Sequence, residues 1–63
     1  MRNERVAFDE LPNGYRVSTV YLGDMYETMV FPPRSWIDVA CTRTRSETLA
    51  RHNHMMLVAK WRA

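Results

Sequence analysis

Three side chains have the chemistry for a nucleophile or a metal ligand, namely Cys41, His52 and His54. On a helix, residues two positions apart point about 200° away from each other, so the two histidines cannot hold one ion. Cys41 alternates with Ile37 and Val39, a pattern typical of a small apolar strand residue and not of a catalytic thiol. We therefore expect no metal site and no cofactor, with one histidine beside the core and the other in solvent.

Carboxylates and glycines add no catalytic site to this picture. Glu10 and Glu27 could perform acid–base chemistry only if they enclosed one cleft, and one helix on a small sheet offers little concavity. Gly14 and Gly23 both fall in predicted turns, so there is no glycine-rich loop to hold phosphate. We expect a protein that binds and does not catalyse.

Length and charge limit the classes of function further. The 63 residues are 46% hydrophobic and 25% charged, which predicts one ordered domain over residues 1–63. A chain of this size buries only about 60% of its unfolded surface, so its core is marginal without a partner. The net charge of +2 is a weak argument for nucleic acid and excludes a strongly acidic DNA mimic.

The strands follow from alternation and from turn residues. We predict strands at residues 6–11, 15–22, 25–31 and 36–42. The sequence Pro12-Asn13-Gly14 favours a three-residue turn that pairs the residues on either side of it, and Gly23-Asp24 favours a two-residue turn. Prolines 32 and 33 end the third strand because they cannot donate to a ladder.

A helix is predicted over residues 45–62, which contain no glycine or proline. Thr44 and Glu47 have the spacing of a capping box. The apolar stripe expected to lie on the sheet is Leu49, Ala50, Asn53, Met56, Leu57 and Trp61. The predicted fold class is α+β: two layers, with an antiparallel four-stranded sheet covered on one face by a single C-terminal helix (ββββα).

The turns also set the register, which divides the sheet residues between two faces. The more apolar face, with Glu10 opposite Arg16 at its rim, is predicted to be buried; it carries Val6, Phe8, Val20, Leu22, Met25, Met29 and Phe31. The other face is predicted to remain uncovered and is the candidate interface; it carries Tyr15, Val17, Thr19, Tyr21, Tyr26, Thr28 and Val30.

An uncovered tyrosine face has several interpretations. It could bind a second copy of the chain, dock on another protein, or stack nucleic-acid bases beside arginines. It could also be the core, if the wrong face is assigned as buried. The candidate basic patch at the strand-to-helix corner is equally compatible with a solvated surface; it comprises Arg34, Arg43, Arg45, Arg51 and Arg62.

The chain shows no targeting or membrane segment. Residues 1–5 are followed by no apolar stretch of signal-peptide length, and no run approaches the roughly 20 residues of a membrane span. The single cysteine, Cys41, fits a reducing compartment. We expect a cytoplasmic protein that does not enter the membrane.

Residues 17–52 resemble a pattern found in small proteins of phage and prophage genomes. In that family a "STVFLG" strand precedes a "FETMVF" strand and a helix of the kind T-x-x-E-A-x-x-x-H. Here VSTVYLG at 17–23 and YETMVF at 26–31 match the strands, and Thr44, Glu47 and His52 lie near the helix positions, with Thr48 in place of alanine. Relatives often carry a longer loop where this chain has only Gly23-Asp24. The resemblance implies a phage or prophage origin and a shared fold, and it implies no reaction.

With that origin, we expect a small phage-encoded accessory protein that works by stoichiometric binding in the host cytoplasm. Its target would be a host protein or an anti-phage defence complex, as in an anti-CRISPR-like role, and self-association as a homodimer is also expected. The alternative is a small nucleic-acid or nucleotide-binding protein that uses Arg43, Arg45 and the sheet tyrosines. A third hypothesis is a structural or dimerisation module.

Overall fold

Four antiparallel strands in the order β1-β2-β3-β4 form one sheet, and a single helix packs on it. This is a computed structural model, and it describes residues 3–62. The predicted domain over residues 1–63 also includes Met1, Arg2 and Ala63, and the segment 1–5 considered for a signal peptide includes Met1 and Arg2. These three residues lie outside the described residues. The ββββα prediction is confirmed. The elements are β1 (Glu4–Glu10), β2 (Arg16–Tyr21), β3 (Tyr26–Phe31), β4 (Ala40–Thr44) and α1 (Glu47–Trp61).

The turn between β1 and β2 forms as predicted. The Leu11 amide donates to the Tyr15 carbonyl at 2.7 Å, and the Gly14 amide donates to the Leu11 carbonyl at 2.9 Å. Gly14 has φ of +90°, a conformation that favours glycine, and Pro33 lies where a Cβ would project. The resulting register places Glu10 opposite Arg16, as expected.

The turn between β2 and β3 is equally local. The Leu22 amide donates to the Met25 carbonyl at 2.8 Å, so two residues connect the strands. The ladder then runs without irregularity from the Tyr21–Tyr26 pair to the Arg16–Phe31 pair. In the β1–β2 ladder, by contrast, the register shifts between Arg5 and Ala7.

The fourth strand begins later than predicted, at Ala40 and not at residue 36. After Phe31, the two prolines have no amide hydrogen to donate to a neighbouring strand, and the Ser35 amide donates to the Pro32 carbonyl. The chain rejoins the sheet where the Val39 amide donates to the Val30 carbonyl at 2.8 Å. Residues 32–39 are therefore a loop, called here the β3–β4 loop.

The helix cap also differs from the prediction. Ser46 is the N-cap, and its hydroxyl accepts from the Leu49 amide at 3.1 Å. Thr44 cannot start the helix because it is still paired with Tyr26 in the sheet; its hydroxyl accepts instead from the Ser46 amide. At the other end, the Asn13 side-chain amide donates to the Trp61 carbonyl at 2.7 Å.

The helix covers the face that was predicted to be open, so the predicted assignment of the two faces is wrong. Val17, Thr19 and Val30 are fully buried under α1, and Thr28 is 2% exposed. Small side chains on this face allow close approach of the fully buried Ala50 of the helix. The threonine hydroxyls, which count as polar in the sequence, are hydrogen-bonded and so can be buried without penalty.

The side of α1 that packs on the sheet also differs from the predicted apolar stripe. Leu49 and Met56, predicted to face the sheet, are 53% and 57% exposed. The helix instead presents a set that packs on or beside the core: Ala50, His54, Leu57, Val58 and Trp61. Among residues 3–62, no helix is long and apolar enough to span a bilayer.

Candidate interaction surface

The sheet face turned away from the helix is uncovered in the structure, and we call it the open face. Strand register and the burial of the opposite residues define its members. They are Arg5, Phe8, Glu10, Arg16, Ser18, Val20, Glu27, Met29, Phe31, Cys41 and Arg43. Its middle is apolar, with Phe8 36% exposed and Met29 and Val20 half-buried.

The β3–β4 loop extends this apolar surface at one end. Trp36 is 67% exposed, Ile37 79% and Val39 48%. Phe31 is the exception on the open face, since it is buried to 9% exposure and meets Trp36 edge-on with 5.1 Å between ring centres. Large apolar side chains exposed on one side of a small protein are typical of an interaction site.

Arg16 holds the loop in place. Its guanidinium donates to the carbonyls of Pro32 and Ser35, and it lies 3.9 Å from the centre of the Trp36 ring. The predicted pair with Glu10 has the right register, but the guanidinium is engaged by these carbonyls instead. Arg34 has φ of +59° in the loop, and the Ile37 amide donates to the Ser35 hydroxyl. The exposed side chains are therefore carried on a well-braced loop.

Charged side chains border the apolar middle of the open face. Arg43 donates to the Glu27 carboxylate at 2.8 Å, and this hydrogen bond raises the pKa of Arg43. Burial, followed by the charge of Glu27, raises the pKa of the neighbouring Cys41 thiol. A raised pKa leaves little thiolate at neutral pH, so Cys41 is a poor nucleophile although it is exposed.

Under the helix lies a polar chain that sequence reasoning missed. His54 Nε2 is 2.7 Å from Asp9 Oδ2, and His54 Nδ1 is 2.8 Å from Thr19 Oγ1. Thr19 Oγ1 is in turn 2.7 Å from Thr28 Oγ1. In the neutral ring, Nε2–H donates to the carboxylate, which leaves Nδ1 to accept from the Thr19 hydroxyl. The signal available in the sequence was the face shared by Asp9, Thr19 and Thr28.

The order hydroxyl–imidazole–carboxylate is also that of a nucleophilic triad, but the geometry serves packing. Thr19 is fully buried and its hydroxyl is shared with Thr28, so no substrate can reach it. A pocket of about 240 Å³ beside Asp9 and His54 opens on the helix side, and Thr19 does not line it. The chain of hydrogen bonds satisfies buried polar groups and fixes the helix on the sheet.

The predicted tyrosine interface is not an open sheet face, because its residues lie on the side of the sheet that the helix covers and its three tyrosines are half-buried. Tyr15 stacks on Trp61 of the helix with 5.3 Å between ring centres. The Tyr26 hydroxyl donates to Glu47 at 3.4 Å, and Tyr21 packs against Tyr26. The rest of the predicted interface is in the core under α1, as the burial of its members shows: Val17, Thr19, Thr28 and Val30.

The predicted basic patch is dispersed. Arg43 pairs with Glu27 on the open face, and Arg51 pairs with Glu47 on the helix at 3.0 Å. Arg34 belongs to the β3–β4 loop and Arg62 to the far end of α1, whereas Arg45 follows β4. Arg43 lies on the open face, on the opposite side of the sheet from Tyr21 and Tyr26.

Cys41 and His54 lie on opposite faces as well, and His52 is exposed. Within residues 3–62 no three histidine, cysteine or acidic side chains are close enough to share a metal ion.

Comparison with protein-family models, with curated proteins and with solved structures gave no match for this chain. The resemblance to small phage and prophage proteins stays a prediction from the sequence motifs.

Proposed function

We propose that this protein acts by stoichiometric binding of another protein, and that the open face with the β3–β4 loop is the contact surface. One observation carries the proposal: one side of the sheet and its adjoining loop expose large apolar side chains, with Trp36 and Ile37 the most exposed of them. Burying an Ile side chain in a partner is worth about 1.5–3 kcal/mol.

The bracing of the loop supports the same conclusion. A binding segment that is already ordered loses less conformational entropy on association. Here Arg16 fixes two loop carbonyls and stacks on Trp36, so the exposed indole is held before any partner arrives. Tryptophan and arginine are the residues that most often dominate binding energy at protein interfaces.

The expected target comes from the resemblance to phage and prophage proteins. On that basis the bound partner is a host protein or an anti-phage defence complex, and the protein inhibits it by occupying it. The open face supplies the binding surface that such a role needs.

The test replaces a methionine at the centre of the open face. Met29→Lys puts a charge into the proposed interface while its alkyl stem keeps most of the packing. Met55→Lys makes the same change on the exposed outer side of the helix, where Met55 is 71% exposed. Tagged wild type, Met29→Lys and Met55→Lys are captured from cells of the host, and bound proteins are identified by mass spectrometry.

We expect one protein to be retained by the wild type and by Met55→Lys and to be lost with Met29→Lys. Circular dichroism of the purified variants establishes that each is folded. A partner retained equally by folded Met29→Lys would contradict the assignment of the open face.

A further inference from the structure

We propose that the open face binds a second copy of this chain, face to face and with the strands of the two copies antiparallel, about a two-fold axis. The inference goes beyond the proposed function: it concerns the same surface in the purified protein, where a second copy is the available partner, and it is tested separately from capture of a foreign protein. It is carried by the distribution of charge around the apolar middle.

Along β1, two charged residues of the open face lie at opposite ends. Arg5 is opposite Val20 near the start of the strand, and Glu10 is opposite Arg16 at its end. Arg5 lies over the Phe8 ring, 4.5 Å from its centre. Neither Arg5 nor Glu10 forms an ion pair with any residue between 3 and 62. Both charges are therefore available to a partner.

The β4 side of the sheet repeats the arrangement. Asp38 precedes β4 at the end where Glu10 lies, and Arg43 is paired with Glu27 towards the end where Arg5 lies. Asp38 is close enough to Cys41 and Arg43 to act electrostatically on both. The corners of the apolar middle thus carry acidic groups at one end, Glu10 and Asp38, and arginines at the other, Arg5 and Arg43. Between the corners the signs are mixed, because Arg16 lies at the first end and Glu27 at the second.

This pattern selects one of the two symmetric ways of stacking two open faces. Both possible two-fold axes lie in the plane between the two sheets. An axis that runs along the strands would place Glu10 over the partner's Asp38, and Arg5 over the partner's Arg43, so like charges would meet. An axis that runs across the strands places Glu10 over the partner's Arg5, and Asp38 over the partner's Arg43. Each contact then occurs twice, as two-fold symmetry requires, and opposite charges meet.

The area that a stable dimer needs is a modest part of the surface of one chain. A standard interface buries about 800 Å² on each partner, which is about a fifth of the 4387 Å² that one chain exposes. The open face is one of the two broad sides of the sheet. The same packing brings the middle row of one open face, with Phe8 and Met29, onto the same row of the other copy.

Sedimentation equilibrium with charge reversals tests the geometry. We expect wild type to be a dimer, and Glu10→Arg or Arg5→Glu alone to raise its dissociation constant at least tenfold, because each makes two like-charge contacts. The double variant Arg5→Glu with Glu10→Arg restores opposite charges across the axis and returns the constant to within about threefold of wild type. Lys60→Glu, on the exposed helix surface, leaves it unchanged.

Three results would overturn the inference. Wild type could be monomeric at millimolar concentration; Met29→Lys could dimerise as well as wild type; or the double variant could be no better than the singles. The first of these leaves the proposed function intact if a foreign protein is still captured through Met29. Conversely, a dimer that captures nothing in the host supports the inference and contradicts the proposed function.

Discussion

At the scale of single residues, the hydrogen-bonded chain Asp9–His54–Thr19–Thr28 explains why the helix lies where it does. A buried polar group destabilises the fold when it has no hydrogen-bond partner. When it has one, it favours the single packing that provides that partner. His54 is 4% exposed, and both of its ring nitrogens have partners, one from β1 and one from β2. The face that the helix covers supplies both of these partners, Asp9 and Thr19. The polar chain therefore selects the face as well as stabilising it.

Thr19→Val tests the contribution of that chain to stability. The replacement keeps the shape of the side chain and removes the hydroxyl, which leaves His54 Nδ1 and the Thr28 hydroxyl without their buried partner. Leaving a buried polar group unsatisfied costs about 1–3 kcal/mol. We expect the free energy of unfolding in urea to fall by that amount. Thr48→Val, at an exposed helix position, is the matched control; an equal loss in both variants would contradict the role assigned to the chain.

At the scale of elements, the β3–β4 loop is ordered by a residue from another strand. Arg16 in β2 bonds the carbonyls of Pro32 and Ser35 and packs on Trp36. A lysine keeps the charge but lacks the planar fork that can donate to two carbonyls while stacking on an indole. The order of the loop should depend on the guanidinium itself and not on positive charge.

Arg16→Lys is therefore expected to loosen the loop without unfolding the sheet. Amide hydrogen exchange of Ser35 and Ile37, both hydrogen-bonded in the loop, should become at least tenfold faster, while Val17 in the core of β2 changes little. Arg34→Lys, an exposed neighbour in the loop, serves as the control. Equal protection of the loop amides in wild type and Arg16→Lys would show that the loop is held by other contacts.

Elements also show what sequence reasoning can and cannot reach here. The Pro12–Gly14 turn and the Gly23-Asp24 turn were predictable because local backbone preferences decide them. The start of β4 was not, because it depends on where the chain rejoins β3, at the bond from the Val39 amide to the Val30 carbonyl. The helix cap was not, because pairing of Thr44 with Tyr26 is a long-range contact that overrides a local capping pattern. The buried face was missed because a count of apolar residues treats Thr19 and Thr28 as solvent-facing, whereas their hydroxyls satisfy each other.

At the scale of the whole molecule, a two-layer fold leaves one side of its sheet without a covering layer. The core under the helix is small; its buried apolar cluster consists of Leu11, Val17 and Val30, with partly buried neighbours. A second layer on the open face would give β2 and β3 apolar contacts on both sides. Association and folding stability are then linked, because anything that binds only the folded chain stabilises it.

That linkage predicts a melting temperature that depends on protein concentration. Calorimetry of wild type from about 10 µM to 1 mM should show the midpoint rising, since dimerisation removes folded monomer from the unfolding equilibrium. Met29→Lys should melt at one temperature across the same range. A wild-type midpoint that does not move with concentration would contradict the dimer.

The bond between the Asn13 side chain and the Trp61 carbonyl joins the first turn of the protein to the last turn of its helix across 48 positions of sequence. Contacts of this separation form late, because a long segment must be closed before they are made. The two hairpins join neighbouring segments of the chain and are expected to form before this contact. Until the helix docks, both faces of the sheet are open to water, and docking closes one of them.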